Sequence, residues 1–324
     1  MCTAITMTAA HFFFGRNLDW KDLCGGKLVI TPRNFPFHFK NGHTLKNHYA
    51  MIGVAAVSDG YPLYFDGANE AGLAIAGLNF PDHAVYHPFD AARNNLAPYE
   101  LIPWLLSTCA NLEEAKSALS RINLWANPFS DLLPLTPLHW LIADKGSSVV
   151  LESTAEGIHI YENPYGVLTN SPPFPYHQTY LRQYLGLSNT TPENRFSQKL
   201  DLSPYSFGMG AIGLPGDPSS PSRFVRAAFS KWNSPEAGSV PQAISQFFHI
   251  LGSVGQIMGV TRFPEGDYEH TVYSSCCDVS AGVYYYKTYQ NHSICGIDLH
   301  GADWKGNRLA IFQLTDGFSV HMEN

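Results

Sequence analysis

The chain opens on a period-two pattern. Thr3, Ile5 and Met7 alternate with Cys2, Ala4 and Thr6, as on the two faces of a strand. Thr8-Ala9-Ala10-His11 offers a turn, and Phe12-Phe13-Phe14 begins a second strand. A turn centred near Ala9 sets Cys2 across from Arg16 and carries Asp19 past the end of the first strand. Further strands are expected at 27–33, ended by Pro32, and at 48–57, while 61–66 and 72–79 read as a hairpin about Asp66 to Gly72. The middle is helical. Residues 98–108 carry Pro103 near the first turn, and Asn111 with Glu114 forms a capping box ahead of Leu112, Ala115, Leu119 and Ile122. Strands return at 138–143, 148–153, 158–162 and 166–170. Residues 171–222 are rich in Pro, Ser, Asn and Gly, and this length without strong patterning suggests a functional arm or an oligomer contact. Helices at 222–232 and 241–252 precede strands at 270–277, 282–289, 293–299 and 308–314. This order predicts an α+β fold with mostly antiparallel sheets.

Composition narrows the function. Of 324 residues 45% are apolar and 15% charged, which describes a globular chain. The net charge of −7 argues against nucleic acid and gives an anionic substrate no long-range attraction. No apolar stretch reaches the ~20 residues of a membrane span. The start has no basic leader, so no signal peptide is expected. The six cysteines form no Cys-x-x-Cys pair and fit a reducing cytosol, with Cys24 near enough in sequence to Cys2 to be an oxidation partner. The 14 histidines include no His-Glu-x-x-His, and His38, His43 and His48 lack a companion ligand set. Catalysis without a metal or cofactor is therefore expected.

The first hairpin carries the candidate chemistry. Methionine ahead of a small residue such as cysteine is readily removed, which would leave Cys2 with both a thiol and a free α-amine. An α-amine titrates near ~8, so it can take the proton of its own side chain. A nearby cation such as Arg16 would favour the attacking thiolate, and Asp19 could hold the amine by a charge-assisted hydrogen bond. Read without these charges, Cys2 is a small apolar residue in an edge strand. Arg16 and Asp19 change that reading, because buried charges are costly unless paired. Arg223 follows Ser222, which reads as an N-cap, so it sits in a first helical turn against the dipole and should pair elsewhere, with Asp19 or near the thiolate. Asn79 and Asn170 each end an expected strand. On residue type alone both read as turn residues bonding their own backbone.

Several long segments resemble one family. Met1-Cys-Thr-Ala-Ile-Thr6, Phe14-Gly-Arg-Asn-Leu-Asp19, Tyr61-Pro-Leu-Tyr-Phe-Asp66, Gly77-Leu-Asn-Phe80, Leu138-His-Trp-Leu-Ile-Ala-Asp144, Gly166-Val-Leu-Thr-Asn170, Gly213-Leu-Pro-Gly-Asp217 and Ser222-Arg-Phe224 are similar to the choloylglycine hydrolases, which include conjugated bile acid hydrolases and penicillin V acylases. The likeness runs from residue 1 to about 315. It implies an N-terminal nucleophile hydrolase sandwich over 1–324, two sheets between two helical layers, as one domain and with a homotetramer as its assembly. It also implies an active-site set of Cys2, Arg16, Asp19, Asn79, Asn170 and Arg223, with the two asparagines as oxyanion donors. Two positions depart from the family pattern. Ser171 stands where bile acid hydrolases carry a second asparagine, and Ala74 and Ile75 stand where glycine and methionine are usual.

Trp20, Tyr61, Leu63, Phe65, Phe129, Leu132 and Leu138 lie in aromatic and aliphatic segments outside clear strand alternation and are candidate walls for a bulky apolar acyl group. The reading that results is a cytosolic amidase cleaving glycine- or taurine-conjugated bile acids. Asn79 favours it over penicillin V acylase, where tyrosine is usual at that position. Outside this chemistry stand a non-catalytic binder of amphipathic ligands and a hydrolase with histidine as base.

Overall fold

The computed structural model describes the whole chain, Met1 to Asn324. β1 (Cys2–Thr8) and β2 (Phe12–Trp20) form the expected hairpin. Its turn centres on Ala10, so Thr8 pairs with Phe12, Ala4 with Arg16, and Cys2 with Leu18 instead of Arg16. A one-residue error in the turn centre moves the register by two, and two residues is the strand period. Every side chain therefore keeps its face.

Two sheets dominate. The first has seven strands, in the order Val167–Leu168, β1, β2, Tyr268–Asp278, Val283–Thr288 and Cys295–Asp298, with Thr261–Arg262 paired to Tyr268–Asp278. The second has nine, in the order Gly157–Glu162, Ser148–Thr154, Leu138–Ala143, Ala74–Asn79, Asp66–Asn69, Met51–Ser58, Gly26–Thr31 and Ala310–Phe312, with Tyr61–Tyr64 on Met51–Ser58. Pairing is antiparallel throughout both.

The nine-stranded sheet is buried on both faces, and alternate residues explain how. Val29, Ile75, Ile142 and Leu151 pack outward against Leu101, Leu105 and Leu106 of α1 (Leu101–Thr108) and Leu112, Ala115 and Leu119 of α2 (Leu112–Leu119). Their neighbours Leu28, Ile30, Ala76, Leu141 and Val150 belong to the other core, shared with the hairpin sheet. A short helix, α3 (Phe174–Leu181), leads into the 171–222 region. On the outer side of the hairpin sheet lie α4 (Ser220–Trp232) and α5 (Val240–Ser253), through Phe224, Ala227, Phe247 and Leu251. The layers run helix, sheet, sheet, helix, as the family resemblance implied. Each fully buried side chain of this size contributes roughly 1.5–3 kcal/mol of transfer free energy.

Several local expectations change. Residues 61–79 are not one hairpin. Tyr61–Tyr64 folds back on Met51–Ser58, and Asp66–Asn69 pairs with Ala74–Asn79. Phe65 bridges the two, donating its N–H to Val54 and accepting from Gly77. The strand expected at 166–170 ends at Leu168. α4 begins at Ser220 with Ser219 as its flanking residue, so Ser222 is not the N-cap. Ser222 instead donates to Asp217 at 2.6 Å, and the Arg223 N–H bonds Ser219. Residues 182–219 hold only three-residue helical turns and expose Leu185, Phe196, Tyr205 and Phe207.

Candidate active site

Strand alternation sorts the open end of the hairpin into two faces. Cys2 and Leu18 are opposite one another, as are Ala4 and Arg16, and this face looks toward the nine-stranded sheet. Arg16 reaches across to it, donating from Nη1 to the Gly77 carbonyl at 2.5 Å and to the Phe65 carbonyl at 3.3 Å. Its Nη2 lies 2.5 Å from Cys2 Sγ. Burial would push the Arg16 guanidinium down, but the Cys2 sulfur, Tyr273 and Asp66 outweigh it, and the net shift is upward. Asp66 is itself buried between the sheets and accepts from the hydroxyls of Tyr273 and Tyr284. Arg16 is thus a fixed cation at the thiol.

Thr3, Asn17 and Asp19 take the other face, toward α4 and α5. Asn17 donates to the Leu251 carbonyl at 2.8 Å and accepts from Ser274 at 2.7 Å. Arg223, from α4, donates to the Cys2 carbonyl, to Thr3 Oγ1 at 2.6 Å, to Asn170 Oδ1 at 2.7 Å and to the Pro218 carbonyl at 2.9 Å. Asp19 Oδ2 lies 4.0 Å from Arg223 Nη1 and has no hydrogen-bond partner. Its Oδ1 accepts from Thr271 at 2.6 Å. Burial raises the Asp19 carboxyl above its usual range against the pull of Arg223, and burial also lowers Arg223.

Cys2 N–H donates to Asn170 Oδ1 at 2.7 Å. Met1 extends the hairpin by one residue: its carbonyl accepts from Asp19 N–H at 3.0 Å, and its amine donates to the Asp19 carbonyl at 2.7 Å and pairs with the buried Glu269. Asn170 Nδ2 donates to the Asn79 carbonyl at 2.7 Å, which leaves the second hydrogen of that amide free for another acceptor. Asn79 ends strand Ala74–Asn79 at the same place. The structure therefore brings together Cys2, Arg16, Asp19, Asn79, Asn170 and Arg223, from five separate stretches of chain. Ser171, at the position of the missing second asparagine, donates to the Pro81 carbonyl at 2.9 Å.

A cavity of about 410 Å3 opens from this cluster, with Cys2, Arg16, Asp19 and Asn79 at its polar end. Trp20, Leu63, Phe65, Phe129 and Leu138 line it, as expected from the sequence. Tyr61 does not. It stands behind the wall, its ring packed against Phe37, Tyr99 and Phe129 at the edge of the second core. Leu132 is also outside, at the tip of its loop and 90% exposed. The wall includes residues that sequence reading missed, among them Leu18, Cys24, Tyr99, Ile102 and Trp140. Leu133 and Leu135 also line the cavity, from the same aliphatic segment between Phe129 and Leu138 that was expected to wall the site. Glu269 and Thr271 were missed as well. The strand also carries His270, Ser274, Ser275 and Asp278, so residue type did not set these two apart.

No group of three or more His, Cys, Asp or Glu side chains is placed to hold a metal ion. No helix is long and apolar enough to cross a membrane.

Residues 2–312 match the model of the linear amide C–N hydrolases, choloylglycine hydrolase family. A bile salt hydrolase/transferase of Lactiplantibacillus plantarum is 52% identical over 300 residues, covering 93% of each chain. One of Clostridium perfringens with the same description is 36% identical over 330 residues and the full length of both. The crystal structure of a mutant conjugated bile acid hydrolase from Clostridium perfringens superposes with a TM-score of 0.93 over all of both chains at 35% identity. Penicillin V acylase from Agrobacterium tumefaciens shares the fold, with a TM-score of 0.75 at 21% identity over 99% of this chain and all of that one. The chain belongs to the choloylglycine hydrolase family of linear amide C–N hydrolases.

Proposed function

We propose that the protein is a bile salt hydrolase that cleaves the amide bond of glycine- and taurine-conjugated bile acids, with Cys2 as nucleophile once the residue before it is removed. The observation that carries this reading is the Cys2 thiol held 2.5 Å from the Arg16 guanidinium at the polar end of an otherwise apolar cavity. The relatives named above support the choice of substrate. A steroid acyl group burying ~300 Å2 in such a cavity would gain roughly 7 kcal/mol before ordering costs.

The chemistry uses groups already in place. Removing Met1 turns the Cys2 amide into a primary amine beside Asn170 Oδ1, at the end of the hairpin where Asp19 Oδ2 has no partner of its own. The amine takes the thiol proton, and the thiolate attacks the amide carbonyl carbon. The carbonyl oxygen gains the charge and is met by amide hydrogens at Asn79 and Asn170, as donors fixed before reaction stabilise it best. The C–N bond breaks, the amine gives its proton to the departing glycine or taurine nitrogen, and a thioester to Cys2 remains. Water then adds to the thioester, its proton passing to the amine and on to sulfur as the bile acid leaves. Arg223 holds the Cys2 carbonyl and Asn170 together throughout.

Asn79 favours this substrate over penicillin V, since tyrosine is usual there in the acylases. The experiment that ranks them compares release of glycine and taurine from conjugated bile acids with release of phenoxyacetate from penicillin V. Faster release of phenoxyacetate would overturn the assignment. The exposed Leu185, Phe196, Tyr205 and Phe207 support 182–219 as an oligomerisation arm on a single-domain protomer, and a homotetramer is the assembly proposed. Sedimentation analysis tests that. A cytoplasmic location, suggested by unpaired cysteines, is testable by cell fractionation.

A further inference from the structure

The backbone around Asn170 lacks a ladder. Strand Val167–Leu168 ends two residues before it, so the polar groups of Thr169 and Asn170 need other partners. Buried side chains supply them. His139 Nε2 lies 2.8 Å from the Thr169 carbonyl, and His177 Nε2 lies 2.9 Å from the Asn170 carbonyl. Asn170 N–H donates to Ser220 Oγ at 2.8 Å. A carbonyl only accepts, so each histidine must carry its hydrogen on Nε2. His139 Nδ1 faces Glu152 Oε1 at 3.2 Å, and that oxygen also accepts from Phe174 N–H at 2.9 Å. One proton held between Nδ1 and Oε1 bridges this pair and locks the ring, while Glu152 Oε2 is left without a partner. His139 and Glu152 are both fully buried. The other side of the His139 ring stacks on Phe80, with centroids 4.3 Å apart and planes within 6°. Phe80 follows Asn79. One imidazole thus touches the neighbours of both asparagines.

We infer that His139, paired with Glu152, and His177 form a backbone clamp that fixes where the Asn170 amide points, acting as positioning residues for amide hydrolysis. This rests on the proposed role of Asn170 at the oxyanion. Neither histidine touches the substrate cavity, so the effect belongs in the rate of the chemical step and not in substrate binding.

The test replaces the His139–Glu152 pair by apolar residues of similar volume, His139→Phe with Glu152→Met, which keeps the ring on Phe80 and leaves no lone buried charge. The clamp predicts that kcat for glycine release from a conjugated bile acid falls about 10- to 100-fold, as for a donor displaced by ~1 Å, with KM within about twofold. It predicts that iodoacetamide alkylates Cys2 at the parent rate, and that hydrogen exchange quickens in the peptide spanning 167–171. A parent-like kcat with parent-like exchange overturns it. So does a parallel loss of kcat and Cys2 alkylation, which marks general collapse. If the double variant does not fold, His177→Leu removes the adjacent donor and is read the same way. A parent protein that cleaves no conjugate defeats the proposed function, and the clamp is then judged on exchange at 167–171 alone.

Discussion

The two faces of the first hairpin are built from neighbouring residues and do different work. Cys2 and Arg16 face the cavity, where few partners restrain the sulfur beyond one guanidinium. Thr3, Asn17 and Asp19 face the helices and are bonded to α4, α5 and strand Tyr268–Asp278. Period two is what makes this possible. A single strand can present a reactive group to a pocket and, one residue on, anchor itself to a core. The cavity face should therefore control rate, and on the helix face Asn17 should control stability, while Asp19, at the open end of the hairpin, also borders the cavity.

Substitutions on each face test this division. The largest effect is expected from Arg16→Leu, which removes the cation at the sulfur and the donors to Gly77 and Phe65. Loss of kcat/KM should reach about 10²–10³-fold, comparable to losing an oxyanion donor, and Cys2 alkylation near neutral pH should slow with it.

Next is a pH effect beyond the helix face, at His177. Burial holds its imidazole at about 4, against an ordinary 6.5. As pH falls through 6.5 the unfolded chain binds this proton first, so the folded state loses stability between 6.5 and about 4 and is unaffected above 6.5. The total is ~3 kcal/mol at order of magnitude. Denaturation midpoints measured across that window should fall less steeply in His177→Leu than in the parent.

Asn17→Ala should cost about 1–3 kcal/mol, because it leaves the buried Leu251 carbonyl without its donor. Its kcat should stay within about twofold of the parent, and a large fall would erase the division between the faces. The smallest effects lie along the cavity wall. Phe129→Ala should raise KM about tenfold with little change in kcat, for ~1–2 kcal/mol of apolar contact. Leu132→Ala, three residues on and exposed, should change neither.

Much of this was legible in the sequence, for reasons tied to particular residues. Alternation in 2–7 and the apolar run Trp140 to Ala143 located strands, because both segments are regular and buried. The hairpin register was missed by two residues, since Thr8 to His11 contains no glycine or asparagine to fix the turn. That error was harmless to the site because it preserved the faces. Asn79 and Asn170 could not be told from turn residues by type alone, and only the family resemblance set them apart. Tyr61 and Leu132 were misplaced because which side of a short strand or loop faces a cavity depends on packing from distant elements. His139 carried no sequence signal of its role, which arises from a carbonyl 30 positions away.

In the proposed mechanism the nucleophile and its base are the thiol and α-amine of Cys2. Intact mass and turnover of conjugated bile acid, measured on the same preparations with and without a residue retained ahead of Cys2, address it directly. Activity should track the fraction beginning at Cys2 and vanish when Met1 is kept. Equal turnover by protein that retains Met1 would contradict it.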